Sequence, residues 1–448
     1  MMNPELSQRI ETLFGLKDPG EFLSSILSLL SDYPYEDIAR QSCFVLCSIL
    51  HKDAYPKFVH HGFMGLIAAI QSRAYIKNDT LKNLPLIQAL RYASLESHKP
   101  RVSFQEPLDN LLPFNTVKDL LNKSIKDQDI QKAYSLIISL MNQESERTQV
   151  LNYLYNISLR DTFNLGHKSI YLLKSLELCE EPGWENCHPI LFPAIHYLVL
   201  APSDRVFDQV ITEYTDQNKI DHNSLSQNDG LIDQQGVSSL RKAILSGDTQ
   251  DILNRVFHLV GEGIGHSSLM DGLQLIAGDI VYRSHPKYWL YALHGFNYVS
   301  TIQSSKEILC NELKLYSLYM TALYLNWMKG KARLTKDQCS LSVDINPVKG
   351  DIHDLNKAID DSKVESACNL VTYLWEQGDL ESLYSALVIQ TAKTDGRIYF
   401  AHDLKYTYAT IRAVEEGPHA NQLNLLLSLV KFLAAGKKSR GFYELLRK

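Results

Sequence analysis

The sequence predicts an all-α fold, on three observations. Apolar residues recur at helical spacing through most of the chain, as with Ile38, Cys43, Leu46 and Leu50. No segment alternates apolar and polar residues over the length that a strand needs. One helical phrase, His-x-x-x-Tyr, occurs three times, and a fourth copy carries Gly at the Tyr place. The expected architecture is about four repeats of roughly four helices, in a superhelical or bundle-like array with one shared pocket. Such repeats bury their apolar faces by stacking on neighbours.

The first repeat spans residues 1–115. Residues 21–30 and 35–50 are apolar helical runs, followed by the His60-His61 helix and a helical segment at 81–97. Pro100, Pro107 and Pro113 mark the loop that closes it. The second repeat, 116–235, has helices over 127–141, 150–159 and 167–178. Pro182-Gly183 then breaks the chain, and a fourth helix runs from Cys187 to Leu200. The polar stretch from Ser203 reads as partly helical and then as a surface linker from about residue 216 to 236.

The third and fourth repeats, 236–345 and 346–448, align best. Residues 243–263 match 358–378 without a gap, with Asn254 on Asn369, Val256 on Val371, Leu259 on Leu374 and Gly263 on Gly378. Each continues into a Leu-x-x-x-Leu helix (Leu269 and Leu273; Leu383 and Leu387), then the His helix, then a last helix at 308–328 or 422–435. Residues 327–350 read as the loop between them. The four repeats are expected to pack as one compact whole.

Composition narrows the function. The 448 residues carry a net charge of −6, with no Lys/Arg run of useful length, so no nucleic-acid partner is expected. No window approaches about 18 uninterrupted apolar residues, and mean hydropathy is −0.17, so no membrane span is expected. The opening Met1-Met2-Asn3-Pro4 lacks an apolar leader core. Seven scattered cysteines suit reduced core thiols better than a disulfide framework, which points to a cytoplasmic location.

Four histidines occupy the same place in the repeated phrase: His61, His167, His294 and His402. A histidine on an amphipathic helix often sits at the edge of a core with one satisfied hydrogen bond. Recurrence at one template position adds a second reading, because repeats related by stacking can aim equivalent positions at a shared groove. There imidazole can act as acid, base or metal ligand. Tyr171, Tyr298 and Tyr406, one turn later, either pack or hydrogen-bond the same bound group. Asp161, Asp395 and Asp53, six or seven residues upstream of a histidine, read as helix caps or as carboxylates that orient an imidazole ring. The third repeat lacks such an Asp, which favours capping. His188, His196, His266 and His285 lie near the repeats' other helices and would add to a pocket.

Phosphate-loop, nucleophile-elbow and His-Glu-x-x-His signatures are absent, and no Cys-x-x-Cys pair occurs. Gly261-Glu262-Gly263-Ile264-Gly265 follows a helix rather than a strand, which argues against a dinucleotide loop.

The stretch His60-His61-Gly62-Phe63-Met64 resembles the paired-histidine helix of questin oxidase-like proteins. Leu165-Gly166-His167 through Tyr171, and Leu293-His294-Gly295-Phe296-Asn297, are similar to two further segments of that family, in the same order. Lys168 and Tyr171 stand where the family has Pro and a second His. The resemblance implies an oxidoreductase that carries out a Baeyer–Villiger-type oxygenation of an aromatic ketone and draws on NADPH. By position, His61, His167 and His294 would carry it. The reading is therefore an oxidoreductase-like protein acting on a small hydrophobic substrate through a histidine-lined pocket. His61, His167, His294 and His402 are its catalytic residues, and Tyr171, Tyr298 and Tyr406 bind substrate. NADPH or a non-haem metal ion would be its cofactor, the metal held among the four histidines, and a separate electron donor its partner. The alternative is a non-catalytic helical scaffold that binds a protein.

Overall fold

The computed structural model describes residues 3–48, 61–96, 113–179, 184, 188–220, 228–334, 345–395, 398–417, 419–436 and 439–447, with backbone alone at 398–400 and 419–421. Among these residues the chain is all-helical, with no strand; a single bridge joins Gly230 to Ile264.

The chain opens with α1 (Pro4–Gly15), α2 (Pro19–Asp32), α3 (Tyr35–Ser48), α4 (His61–Ser72) and α5 (Leu84–Glu96). Then come α6 (Phe114–Lys126), α7 (Ile130–Met141), α8 (Glu144–Leu159), α9 (Phe163–Cys179) and α10 (His188–Leu200), with α11 (Val206–Gln217) appended. The third set is α12 (Gln234–Ser246), α13 (Thr249–Gly261), α14 (His266–Arg283), α15 (Trp289–Ser304) and α16 (Asn311–Lys331). The fourth is α17 (Ile352–Asp360), α18 (Val364–Gln377), α19 (Leu380–Ala392), α20 (Ile398–Glu416) and α21 (His419–Ala435), with α22 (Gly441–Leu446) at the end.

The four histidines of the repeated phrase stand on α4, α9, α15 and α20. The sequence expectation left out α1 and α6, and its aligned segments 243–263 and 358–378 run across the short breaks between α12 and α13 and between α17 and α18. Likewise α16 continues to Lys331, past the start of the expected loop at 327. The gapless alignment of the third and fourth sets has matching stops. Gly263 and Gly378 both sit at left-handed φ, +84° and +80°, a region that glycine enters without a Cβ clash. Capping boxes start α13 (Asp248 with Asp251) and α17 (Asp351 with Asp354), each satisfying two first-turn donors.

The chain divides into two compact units. The terminal unit comprises Met1–Phe104, Asp344–Arg412 and Leu429–Lys448. The central unit comprises Gln105–Val343 and Ala413–Ser428. In the terminal unit α4 packs on α5, and α5 on α19. A core of Leu84, Ala392 and Tyr443 joins α5, α19 and α22. Gly65 on α4 lies so close to α20 that an added Cβ would stand 3.1 Å from the Ala401 Cβ. Glycine there lets the two histidine helices meet. In the central unit α15 packs against α14, α16 and α9, so the two histidine helices again touch.

Candidate functional site

In the central unit the site is built at the start of α9. Asn164, Leu165 and Gly166 take three successive left-handed conformations, with φ of 49°, 64° and 72°. Asn tolerates this region and Gly is at home there, but Leu165 is strained by about 1–2 kcal/mol. Surrounding contacts hold the turn. The Tyr324 hydroxyl donates to the Leu165 carbonyl at 2.8 Å, and Asn164 Nδ2 donates to the Tyr197 hydroxyl at 3.0 Å. A strained turn fixed from several sides is a common way to aim a functional side chain. Here the residue that follows is His167. Its Nδ1 meets the Asn164 carbonyl. A carbonyl only accepts, so Nδ1 carries a proton.

The His167 ring meets His294 of α15 edge-on, with centroids 4.7 Å apart and both residues buried. One turn beyond His294, Tyr298 lies tilted against Tyr324 at 4.3 Å. Burial pushes the Tyr298 phenol well above its ordinary range. Next to His167, Lys168 is buried and ion-paired with Asp161 at 2.6 Å, with side chains 4 % and 1 % exposed. Lys168 also donates to the Ala201 carbonyl at 3.3 Å. Asp161 accepts from the backbone N–H groups of Phe163 and Asp204, at 2.9 and 3.1 Å. Asp161 thus does more than cap α9: it holds the buried cation beside the histidine.

In the terminal unit His61 opens α4 and meets His402 of α20 at 4.9 Å, with the ring planes inclined by 38°. His402 is fully buried. The start of α4 is secured by Glu96, which accepts from the Gly62 N–H at 2.7 Å and from the Tyr92 hydroxyl at 2.7 Å. A carboxyl at a helix N-terminus also meets the favourable end of the macrodipole. Burial nevertheless raises Glu96 to about 7, against the pull of those two hydrogen bonds and of Lys405. Lys405 is itself buried, with Nζ 3.9 Å from Met64 Sδ. Burial raises the neighbouring carboxyl, Asp403, to about 8.

The histidines are thus arranged as one buried pair within each unit, His61 with His402 and His167 with His294. The tyrosines one turn on are fully buried. Each packs on an aromatic ring of the next helix: Tyr171 on Tyr197, Tyr298 on Tyr324 and Tyr406 on Phe432. Asp395 serves the first turn of α22. Its Oδ2 accepts from the Phe442 N–H of α22 at 2.7 Å, and its Oδ1 from Gln88 at 3.1 Å. Asp53 and His60 lie outside the described residues. His266 meets the Ser317 hydroxyl at 3.1 Å, and His285 caps a short 3-10 turn. Burial lowers both His196 and His266 to about 4, so each is neutral at pH 7.

Sequence reasoning passed over Glu96, Asp403 and Lys405, and met Lys168 only as a departure from a family pattern. A charged residue inside an otherwise buried helical phrase was the available signal. Two imidazoles from facing helices can work as an acid and a base, and imidazole is a donor that suits zinc, copper, iron or nickel. The glycine-rich stretch does not fit a dinucleotide. It is clasped by backbone, with Gly230 N–H to the Gly263 carbonyl at 3.0 Å and Gly265 N–H to the Gly230 carbonyl at 2.9 Å. An added Cβ at Gly265 would lie 2.9 Å from the Asn228 carbonyl. Its glycines serve that close approach. Among the described residues no helix is long and apolar enough to cross a membrane. No family model, curated protein or solved structure matches the chain.

Proposed function

We propose that this chain is an oxidoreductase-like enzyme acting on a small hydrophobic ketone or aromatic substrate, with the buried histidine pairs as its acid–base groups. It is built from four copies of one five-helix repeat, and histidine helices face each other two by two. The observation that carries the reading is the duplicated pair. Two imidazoles at 4.9 Å in one unit and two at 4.7 Å in the other come from helices far apart in sequence. Packing alone asks for no imidazole at four equivalent buried places, and burying an imidazole is costly unless its nitrogens are used.

The reaction implied by the resemblance inserts one oxygen atom of dioxygen beside the carbonyl carbon. The other atom leaves as water, formed with two electrons and two protons from an external donor. In that reaction neutral His167 would take a proton at Nε2, and His294 would return one. His402 and His61 would do the same in the terminal unit. Tyr171, Tyr298 and Tyr406 would border the substrate. The test supplies NADPH, air and a panel of aromatic ketones to the full chain and follows reductant, dioxygen and ketone together. Consumption of all three in equal amounts is expected. No ketone-dependent consumption across the panel would refute the reading.

A further inference from the structure

His61 of α4 and His402 of α20 are 7 % and 0 % exposed, and each brings a ring nitrogen within 4.8 Å of the other's. A metal ion held by two imidazoles at about 2.0–2.1 Å each needs their nitrogens about 3.3–4.2 Å apart, from the tetrahedral to the linear angle. Small turns of two rings whose centroids are already 4.9 Å apart close that gap. Among the described residues no cysteine or carboxylate joins the pair at ligand distance. An imidazole donor set suits zinc, copper, iron or nickel, and not calcium or magnesium, which take oxygen.

The approach of the two rings has a residue devoted to it. Gly65 stands one turn after His61 in the middle of α4, where glycine is disfavoured against alanine by about 0.5–1 kcal/mol. An added Cβ there would lie 3.1 Å from Cβ and 3.3 Å from Cα of Ala401, the residue before His402. The close contact that this glycine permits is therefore the meeting of the two histidines. A helical core asks for neither feature. Alanine at 65, with leucine or phenylalanine at 61 and 402, would bury apolar surface and leave no ring nitrogen to satisfy.

We propose that His61 and His402 are two ligands of a late first-row transition-metal ion bound in the terminal unit, and that Gly65 positions them. Bound there, such an ion supplies a Lewis acid to a substrate oxygen, in place of proton transfer by the pair. This rests on the reading of the His61–His402 pair as a site.

The test frees the full chain of metal with a chelator. It then titrates with Co(II), read by its visible ligand-field bands, and with Zn(II), read by competition with a chromophoric chelator. Wild type is expected to take one equivalent of either ion. His61→Ala and His402→Ala should each weaken binding about 100-fold or more, beyond the roughly 10- to 100-fold lost with a partner that only orients a ligand. Gly65→Ala keeps both ligands and should weaken binding about 10-fold, with shifted Co(II) bands. His266→Ala removes a buried histidine of the central unit and should bind as wild type does. Zinc should raise the melting temperature of wild type and of neither ligand variant. Wild type that takes up no metal would overturn the proposal. So would undiminished uptake in both ligand variants, each first shown to be helical by circular dichroism. If His402→Ala does not fold, His61→Ala and Gly65→Ala carry the same comparison. One equivalent bound without ketone turnover would sink the oxidoreductase reading and leave the metal site. Ketone turnover by a chain that takes up no metal would do the reverse.

Discussion

Replacing Gly166 with Ala perturbs the strained turn at its tightest point, and its cost can be worked from the structure. Gly166 has φ +72°, where an L-residue is disfavoured by about 1–2 kcal/mol. Its new Cβ would stand 2.8 Å from Tyr298 Cδ2, well inside contact distance. The Tyr298 ring cannot swing away freely, because Tyr324 lies against it at 4.3 Å. Overpacking of this kind adds about 1–3 kcal/mol. The sum is about 2–5 kcal/mol, or a fall in Tm of about 4–20 °C for a unit of this size. Gly263→Ala is the matched control in the same unit. Gly263 has φ +84°, and an added Cβ there meets nothing within 4 Å, so the loss is about 1–2 kcal/mol. Thermal unfolding followed by circular dichroism, with guanidinium midpoints alongside, measures both variants. Equal losses in the two would refute the claim that Tyr298 presses on the turn that presents His167.

Lys168→Met leaves the Asp161 carboxylate buried without its cation and should cost about 3–5 kcal/mol. Combining it with Asp161→Asn should recover much of that loss, read from the same denaturation midpoints. Glu96 makes stability depend on pH. Its folded value of about 7 lies above its ordinary 4.5, so the folded state holds the proton through the interval between. Stability should therefore fall as pH rises from about 4.5 to about 7 and be level above, by about 3 kcal/mol in all. Glu96→Gln should flatten that slope in a series of melts across this window.

The helices were legible because each buries an apolar stripe, and the recurring His-x-x-x-Tyr phrase marked three of them, with a weaker fourth copy at His61. The matching glycine stops at Gly263 and Gly378 were visible as an alignment before their left-handed φ was known. Which histidines meet was not legible. His61 and His402 lie near opposite ends of the chain, and their contact depends on α4 and α20 packing at Gly65 and Ala401. Nor was the role of Asp395 legible. Its distance from His402 suggested a cap for α20, while tertiary packing hands it the first turn of α22. The strained turn at 164–166 has one sequence signal, Gly166. The left-handed Leu165 has none, because the hydroxyl that holds it comes from Tyr324 on α16.

The most direct measurement is a paired one on His402→Gln: thermal unfolding, and NADPH and dioxygen consumption with an aromatic ketone that wild type turns over. Gln keeps much of the polarity and size of His402 inside the fully buried terminal-unit pair. The account predicts a Tm within about 3 °C of wild type, a change of roughly 1 kcal/mol or less, together with a loss of turnover of about 100-fold or more, as for a missing acid–base group. Retained turnover in a variant destabilised by about 0.5–3 kcal/mol would contradict it and place the histidine pairs among the packing of a helical scaffold.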